Sequence, residues 1–237
     1  MRMQVAPQAY FITGTDTGVG KTLIASALMH AMAGQGRRVA GMKPVASGTT
    51  WHDGAWHNDD VDALQAASNL TFNAALVNPY LLQEPAAPHI AAAAEGIGID
   101  LDHIERCYQT LCASADTVIV EGVGGFIVPL NDHCDTADLV CRLDLPVILV
   151  VGIRLGCISH ALLTIEAIAA RGLHLAGWVA NLTTPETANV TPMIATLQRR
   201  INAPLLGCVP CLPAADAAGA AHFLDMTALL TANNTSR

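Results

Sequence analysis

One run, Ile12-Thr13-Gly14-Thr15-Asp16-Thr17-Gly18-Val19-Gly20-Lys21-Thr22, limits what this chain can fold into. It follows the apolar Ala9-Tyr10-Phe11-Ile12, which reads as a strand, and opens Leu23 to Ala33, which reads as a helix. A Gly- and Thr-rich turn between a strand and a helix gathers backbone N–H groups around one concavity. The helix N-terminus adds partial positive charge, so phosphate oxygens are held there. Lys21 supplies a mobile cation for the outer phosphates, and the Thr22 hydroxyl can sit on Mg²⁺.

The usual P-loop spacing has glycine six residues before the lysine, where this chain has Thr15; its glycine comes one earlier, at Gly14. The Gly-Lys-Thr end survives, in the order strand, turn, helix that the mechanism requires. That order outweighs the plainer reading, a tight glycine turn with a surface lysine.

The rest of the chain alternates in the same sense. Arg38 to Lys43 reads as a second strand stopped by Pro44, and Thr49 to Asn58 as a loop rich in Trp, His, Gly and Asp. Asp59-Asp60-Val61-Asp62 heads a helix, with Asp59 the expected cap. Asn78-Pro79-Tyr80 and Glu84-Pro85-Ala86-Ala87-Pro88 break the chain before an Ala-rich helix through Ala94, and Leu101 to Ala113 is amphipathic at helical spacing. Thr117 to Glu121, Pro146 to Val151, Leu175 to Ala180 and Leu205 to Val209 are continuous apolar strands. Such strands, separated by helices, predict an α/β fold: one doubly wound, mainly parallel sheet with helices on both faces, forming a single P-loop NTPase-like domain over residues 1–237. Ligands of such sheets bind beyond the strand C-termini. Gly18 to Thr22, Lys43, Glu121 and Asn181 all fall there.

Composition narrows the partners. A formal net charge of −8 argues against nucleic acid and against an anionic membrane surface, and 52% apolar residues mean extensive burial in a core or against a partner. Seven scattered cysteines suit a reducing compartment better than a disulfide framework. Cys208-Val209-Pro210-Cys211 has redox-motif spacing but lies far from the first strand, and coincidence is the better reading. The N-terminus lacks the apolar core of a signal peptide, and the strongest apolar run, Leu145 to Ile153, contains Pro146 and is too short to span a bilayer. A soluble, cytoplasmic protein is expected.

Three oxygen ligands suit Mg²⁺: Thr22, Asp60 and Glu121. Glu121 ends an apolar strand, and Gly122-Val123-Gly124-Gly125 leaves little room for a helix that it might cap. For Asp60, a solvated helix start shared with Asp59 and Asp62 is an equally good account. His52, Asp53, His57 and Asp59 could form a transition-metal cluster, but their spacing matches no template, and a flexible polar loop is the better reading. Asn181 could pair its amide with N6 and N7 of adenine, and an ordinary turn asparagine fits equally well. Lys43, pinned by Pro44 and followed by Ser47-Gly48, is poorly explained by solubility. Two lysines on one site favour an anionic intermediate that forms only during reaction.

Thr13 to Thr17 with Val19-Gly20-Lys21-Thr22, and then Lys43-Pro44-Val45-Ala46-Ser47-Gly48, resemble the dethiobiotin synthetase family. So do Asn78-Pro79-Tyr80, Glu84-Pro85 with Pro88-His89, Val120-Glu121-Gly122 with Gly124-Gly125, Leu145 to Gly152, Leu155-Gly156-Cys157-Ile158, and Gly177 to Asn181. The resemblance runs in order through about Pro210.

It implies ATP- and Mg²⁺-dependent cyclisation of 7,8-diaminopelargonate with CO2, through a carbamate and a carbamoyl-phosphate anhydride. Lys21 and Lys43 would neutralise the carbamate and the transferring phosphoryl group, and Thr17 and Ser47 would orient the diamine or the carbamate by hydrogen bonds. Gly18, Val19, Gly20, Lys21 and Thr22 would hold phosphates, with Gly122, Val123 and Gly124 alongside. Asn181, Leu182 and the backbone of Pro210, Cys211 and Leu212 would hold adenine. A homodimer is implied, with Leu155, Gly156, Cys157, Ile158 and Ser159 of one subunit holding the substrate carboxylate of the other at a helix start. Family members often carry an acidic residue where this chain has Gly18, and Ser159 replaces a commoner asparagine.

Two other readings remain: a dimeric P-loop ATPase switch, and a nucleotide-binding homologue without catalysis. Switch loops carry an additional lysine early in the turn, and Gly14-Thr15-Asp16-Thr17 has none. Retention of Lys21, Lys43, Asp60 and Glu121 argues against decay.

Overall fold

The computed structural model describes residues 8–185, 188–212 and 216–231. The chain runs β1 (Gln8–Gly14), α1 (Lys21–Gly34), β2 (Val39–Met42), β3 (Val45–Ser47), β4 (Thr50–His52), β5 (Ala55–His57) and α2 (Asp59–Ala67). Then come α3 (Ala74–Val77), β6 (Tyr80–Leu82), α4 (Pro88–Ala94), α5 (Leu101–Cys112), β7 (Thr117–Glu121) and α6 (Thr136–Leu143). β8 (Val147–Gly152), α7 (Cys157–Ala170), β9 (Leu175–Asn181), α8 (Val190–Arg200), β10 (Leu205–Val209), α9 (Ala217–Ala221) and α10 (Thr227–Thr231) complete it.

Six strands form one sheet in the order β10-β9-β8-β1-β7-β2, and every pairing is parallel. Side chains alternate between its faces. Tyr10 and Ile12 of β1, Ile119 of β7, and Ile148 and Val150 of β8 pack with Ile24, Leu28, Met29 and Met32 of α1. On the opposite face Phe11, Val118 and Val120 meet Ile104 and Leu111 of α5 and Leu139 and Val140 of α6. Farther along, Leu149, Val151 and Trp178 meet Ala161 of α7 and Leu197 of α8. Helices cover both faces, which is why the strands read as continuous apolar runs.

The chain reverses its direction of travel across the sheet at β1. After α1 it lays β2 beyond β7, whereas α6 carries it from β7 to β8 on the other side of β1. The crevice beyond β1 is therefore the switch point where ligands of such sheets bind. Register sets the site's floor: Ile12 pairs with Glu121 and Met42 with Val120, so the P-loop, Lys43 and Glu121 emerge at one level.

Two local expectations are corrected. Asn58, not Asp59, caps α2: its Oδ1 accepts from the N–H groups of Asp60 and Val61, and Asp59 is already the first helical residue. Thr49 to Asn58 is not a flexible loop, because β4 and β5 pair as an antiparallel hairpin. Its turn is Asp53-Gly54, both at positive φ (53° and 80°), the conformation that Asp-Gly favours between twisted strands. Among the described residues, no helix is long and apolar enough to cross a membrane.

Candidate active site

The P-loop enters α1 through Gly20, whose φ of 89° lies in the left-handed region. A Cβ at Gly20 would also stand 2.2 Å from Nδ2 of Asn181, so both backbone and space require glycine. No side chain caps α1, and its first N–H groups face the loop. Lys21 is buried, and its Nζ donates to the Asp16 carbonyl at 3.1 Å. Burial first, and the neighbouring Lys43 charge second, lower the Lys21 pKa to about 8, against the pull of Glu121, Asp60 and Asp16.

Lys43 continues the line of β2. The Asn78 amide donates to its carbonyl at 2.6 Å, and its own N–H bonds the Val77 carbonyl. Its Nζ lies 2.6 Å from Glu121 Oε1 and 2.8 Å from Asp60 Oδ2, and donates to the Gly122 carbonyl at 3.3 Å. Burial disfavours the ammonium, but the two carboxylates outweigh it and leave the Lys43 pKa raised. Burial also acts against the Asp60 anion, and Lys43 and the Thr22 hydroxyl overcome it, so Asp60 is lowered. Glu121 is fully buried, and burial raises its carboxyl against the pull of Lys43.

Thr22 Oγ1 is 2.6 Å from Asp60 Oδ1 and 2.9 Å from Glu121 Oε1. One hydroxyl proton cannot serve both carboxylates, and Glu121 Oε2 is buried with no partner. Three hard oxygen donors converge with unspent acceptor capacity, a set that could hold Mg²⁺.

A cleft of about 770 Å³ opens over these groups. It brings together Thr17, Gly18, Gly20, Lys21, Thr22, Lys43, Ser47, Asp60, Glu121, Val123 and Gly124. Gly122 meets the cleft through its carbonyl on Lys43, while Val19 faces the core beneath. Asn181 lies behind the loop, donating Nδ2 to the Val19 carbonyl at 2.8 Å, and its Oδ1 has no partner. The Leu182 N–H bonds the Val209 carbonyl; Pro210, Cys211 and Leu212 follow β10 and do not line the cleft. Leu155, Gly156, Cys157, Ile158 and Ser159 form the start of α7, also outside the cleft of this one chain.

A family model described as "AAA domain" matches residues 8–218. The ATP-dependent dethiobiotin synthetase BioD of Aromatoleum aromaticum is 57% identical over 218 residues, 92% of this chain and 97% of that protein. The protein of the same name from a Janthinobacterium species is 53% identical, over 92% of this chain and 94% of its own length. The chain belongs to the ATP-dependent dethiobiotin synthetase family. It is thereby an ATP-dependent ligase, on a P-loop NTPase fold.

Solved structures outside the synthetase family share that fold. Cobyrinic acid a,c-diamide synthase from Mycobacterium smegmatis, with bound ATP analog and magnesium, superimposes with a TM-score of 0.57 at 16% identity, covering 98% of each chain. The septum site-determining protein MinD from Pyrococcus horikoshii, complexed with Mg-ADP, gives 0.55 at 17% identity, over 87% of this chain and 83% of that one.

In sequence, Pro85 and Pro88 mark the resemblance to the synthetase family but carry no signal that places them in the site. Pro85, Ala86, Ala87 and Pro88 form the cleft's apolar wall, and Val128 and Gly125 close it. Asn58 has no sequence signal that sets it apart from its polar neighbours, yet its Nδ2 donates to the Gly48 carbonyl at 2.8 Å and ties the Ser47-Gly48 turn to the head of α2.

Proposed function

We propose that this cleft carries out the ATP-dependent carboxylation and ring closure of 7,8-diaminopelargonate to dethiobiotin. The observation that supports it is the meeting of Lys21, Lys43, Thr22, Asp60 and Glu121 at one switch point, in a chain 57% identical to a protein named for that reaction.

One amine of the diamine adds to CO2 and loses a proton, giving a carbamate. A carbamate oxygen attacks the γ-phosphorus of ATP, the bond to the ADP oxygen breaks, and a carbamic–phosphoric anhydride results. The second amine attacks the carbonyl carbon and gives up a proton, the C–O bond breaks, phosphate leaves carrying that bond's electron pair and the proton, and the ureido ring closes. Lys21, which donates to the loop carbonyl of Asp16 at 3.1 Å, turns to the γ-phosphate and stabilises charge developing on its oxygens. Lys43 holds the carbamate side of the reacting centre, and Thr17 and Ser47 orient the diamine. Mg²⁺ on Thr22, Asp60 and Glu121 would neutralise phosphate charge. The apolar wall of Pro85 to Pro88 excludes water, which would otherwise hydrolyse the anhydride. Adenine is assigned to Asn181, which is buried behind the loop with its Oδ1 unpartnered, with Leu182, Pro210, Cys211 and Leu212 flanking.

The carboxylate of the diamine meets α7 of a second copy. Supporting this, the 14-residue α7 buries only Cys157, Ala161 and Ile168 in its own chain; its Leu163 is 62% exposed, and Leu155, just before it, 97%. The working protein is a cytoplasmic homodimer in this reading.

Phosphate release from ATP, followed with and without diamine plus bicarbonate, tests it. Turnover that requires both, with a ureido product seen by mass spectrometry, is expected. Hydrolysis indifferent to the diamine and raised by a protein or membrane partner would replace this reading with an ATPase switch.

A further inference from the structure

The hairpin of β4 and β5 carries chemistry that the cleft does not use. Its register pairs Thr50 with His57 and His52 with Ala55, so His52 and His57 share one face while Trp51 and Trp56 share the other. The two imidazoles stack, with ring centres 3.7 Å apart and planes 17° from parallel. Asp62, one turn into α2, meets them: its Oδ2 is 3.0 Å from Nδ1 of His57. One ligand atom from each of the three lies within 4.8 Å of the others. Donors around a tetrahedral Zn²⁺ sit roughly 3.4 Å apart at bond lengths near 2.0–2.1 Å. Partly exposed side chains on the hairpin and the first turn of α2 cover that difference by small rotations.

We propose that His52, His57 and Asp62 form a second cation site, selective for a divalent transition metal of the Zn²⁺ class. Two imidazoles and one carboxylate suit Zn²⁺, Ni²⁺ or Cu²⁺, whereas the all-oxygen set of Thr22, Asp60 and Glu121 suits Mg²⁺. The two sites therefore sort metals by ligand softness. Asp53 Oδ2, 3.3 Å from Nδ1 of His52, is placed to receive that N–H and leave Nε2 for the metal. His52, His57 and Asp62 stand at 50%, 28% and 44% side-chain exposure, so the ion has an entry path and room for water in its fourth position.

The site lies between two working parts of the chain. Ser47 precedes the hairpin, and Asp60 is on the same first turn of α2 as Asp62. A bound ion ties hairpin to helix and fixes the span between them. This reading does not depend on which reaction the cleft performs.

The test uses the full-length protein in excess Mg²⁺. Zn²⁺ is titrated against a chromogenic chelator, and Cu²⁺ is titrated by tryptophan fluorescence, since Trp51 and Trp56 lie on the hairpin and Trp178 is buried in the sheet. We expect one Zn²⁺ per chain and Cu²⁺ quenching of the hairpin tryptophans. His52→Ala, His57→Ala and the near-isosteric Asp62→Asn should each weaken Zn²⁺ by more than about 10-fold, because removing even a partner that merely orients a ligand costs about 10–100-fold. Absence of Zn²⁺ binding by the parent protein, or binding and quenching unchanged in the double variant H52A/H57A, would overturn the site.

Discussion

Lys43 Nζ stands 2.6 Å from Glu121 Oε1, and the two side chains are 3% and 0% exposed. A buried ammonium and carboxylate are costly apart and tolerable together. Asp60, half-exposed at the rim, adds the second negative charge that keeps Lys43 ionised. The carboxylates that face the ammonium are the same ones that converge with Thr22, so Lys43 would share one pool of negative charge with the Mg²⁺ proposed there.

Replacing Lys43 by methionine leaves that charge unanswered. Without Mg²⁺, K43M should lose about 3–5 kcal/mol of stability, the usual cost of breaking a buried pair, and added Mg²⁺ should recover part of it. ATP affinity should stay near normal while turnover falls by orders of magnitude. Urea unfolding with and without Mg²⁺, beside single-turnover kinetics, measures both. Near-normal turnover would remove Lys43 from the reaction.

The lowered pKa of Lys21, about 8 against an ordinary 10.5, gives nucleotide binding a pH dependence. Between those values the unfolded chain binds the proton that the folded one has released, so stability of the ligand-free protein should rise with pH across that window. A triphosphate favours the ammonium and draws the proton back. Calorimetry near pH 8.5 in buffers of different ionisation enthalpy should therefore show proton uptake on ATP binding. Lys21→Arg, charged throughout, should abolish the uptake; equal uptake in that variant would assign the proton elsewhere.

Gly20 and Asn181 test the loop's geometry. Gly20→Ala forces an alanine to φ 89° and drives its Cβ to 2.2 Å from the asparagine amide. The left-handed backbone alone costs about 1–2 kcal/mol. Adding Asn181→Ala should relieve the clash but not the backbone, so in urea unfolding the double variant should lose less stability than the two single variants' losses added together. Strict additivity would show that the two residues do not touch in solution.

Much of this was legible in the chain. Strand ends at Lys43 and Glu121 announced themselves because both faces of the sheet are buried, leaving unbroken apolar runs that stop at a charge. Thr22 and Lys21 followed from the Gly-Lys-Thr end. The hairpin is hidden in the sequence even though Asp53-Gly54 between Trp-His and Ala-Trp-His is a turn signal, because both strands are short and exposed and lack apolar alternation. The cap at Asn58 rather than Asp59 is hidden likewise, since any of the adjacent polar residues can cap and only backbone dihedrals choose among them. The apolar wall from Pro85 to Pro88 needed coordinates: prolines mark a break in the chain without saying what the break faces.

Leu163 lies on the exposed face of α7 and outside the cleft, so it separates assembly from chemistry. If α7 forms the proposed dimer contact, the parent protein should scatter as a dimer and Leu163→Glu as a monomer that keeps ATP binding and has a raised KM for the diamine. A parent monomer, or a mass that Leu163→Glu leaves unchanged, would overturn that contact.

Glu121→Gln separates a metal carboxylate from a lysine partner. The amide keeps the shape of the buried side chain, and Lys43 retains Asp60 at 2.8 Å, so the fold should survive. What is lost is one anionic oxygen beside Thr22 and the partnerless Oε2. If that carboxylate serves Mg²⁺, the Mg²⁺ needed for half-maximal turnover should rise by about tenfold or more, the scale on which losing about 1.4 kcal/mol of binding is felt. If it serves only Lys43, the Mg²⁺ requirement should not move, and K43M and E121Q should show the same defect at every Mg²⁺ concentration. Asp60→Asn, which also touches both Lys43 and Thr22, should behave as E121Q does in the first case and confirm that the two acids act on one ion.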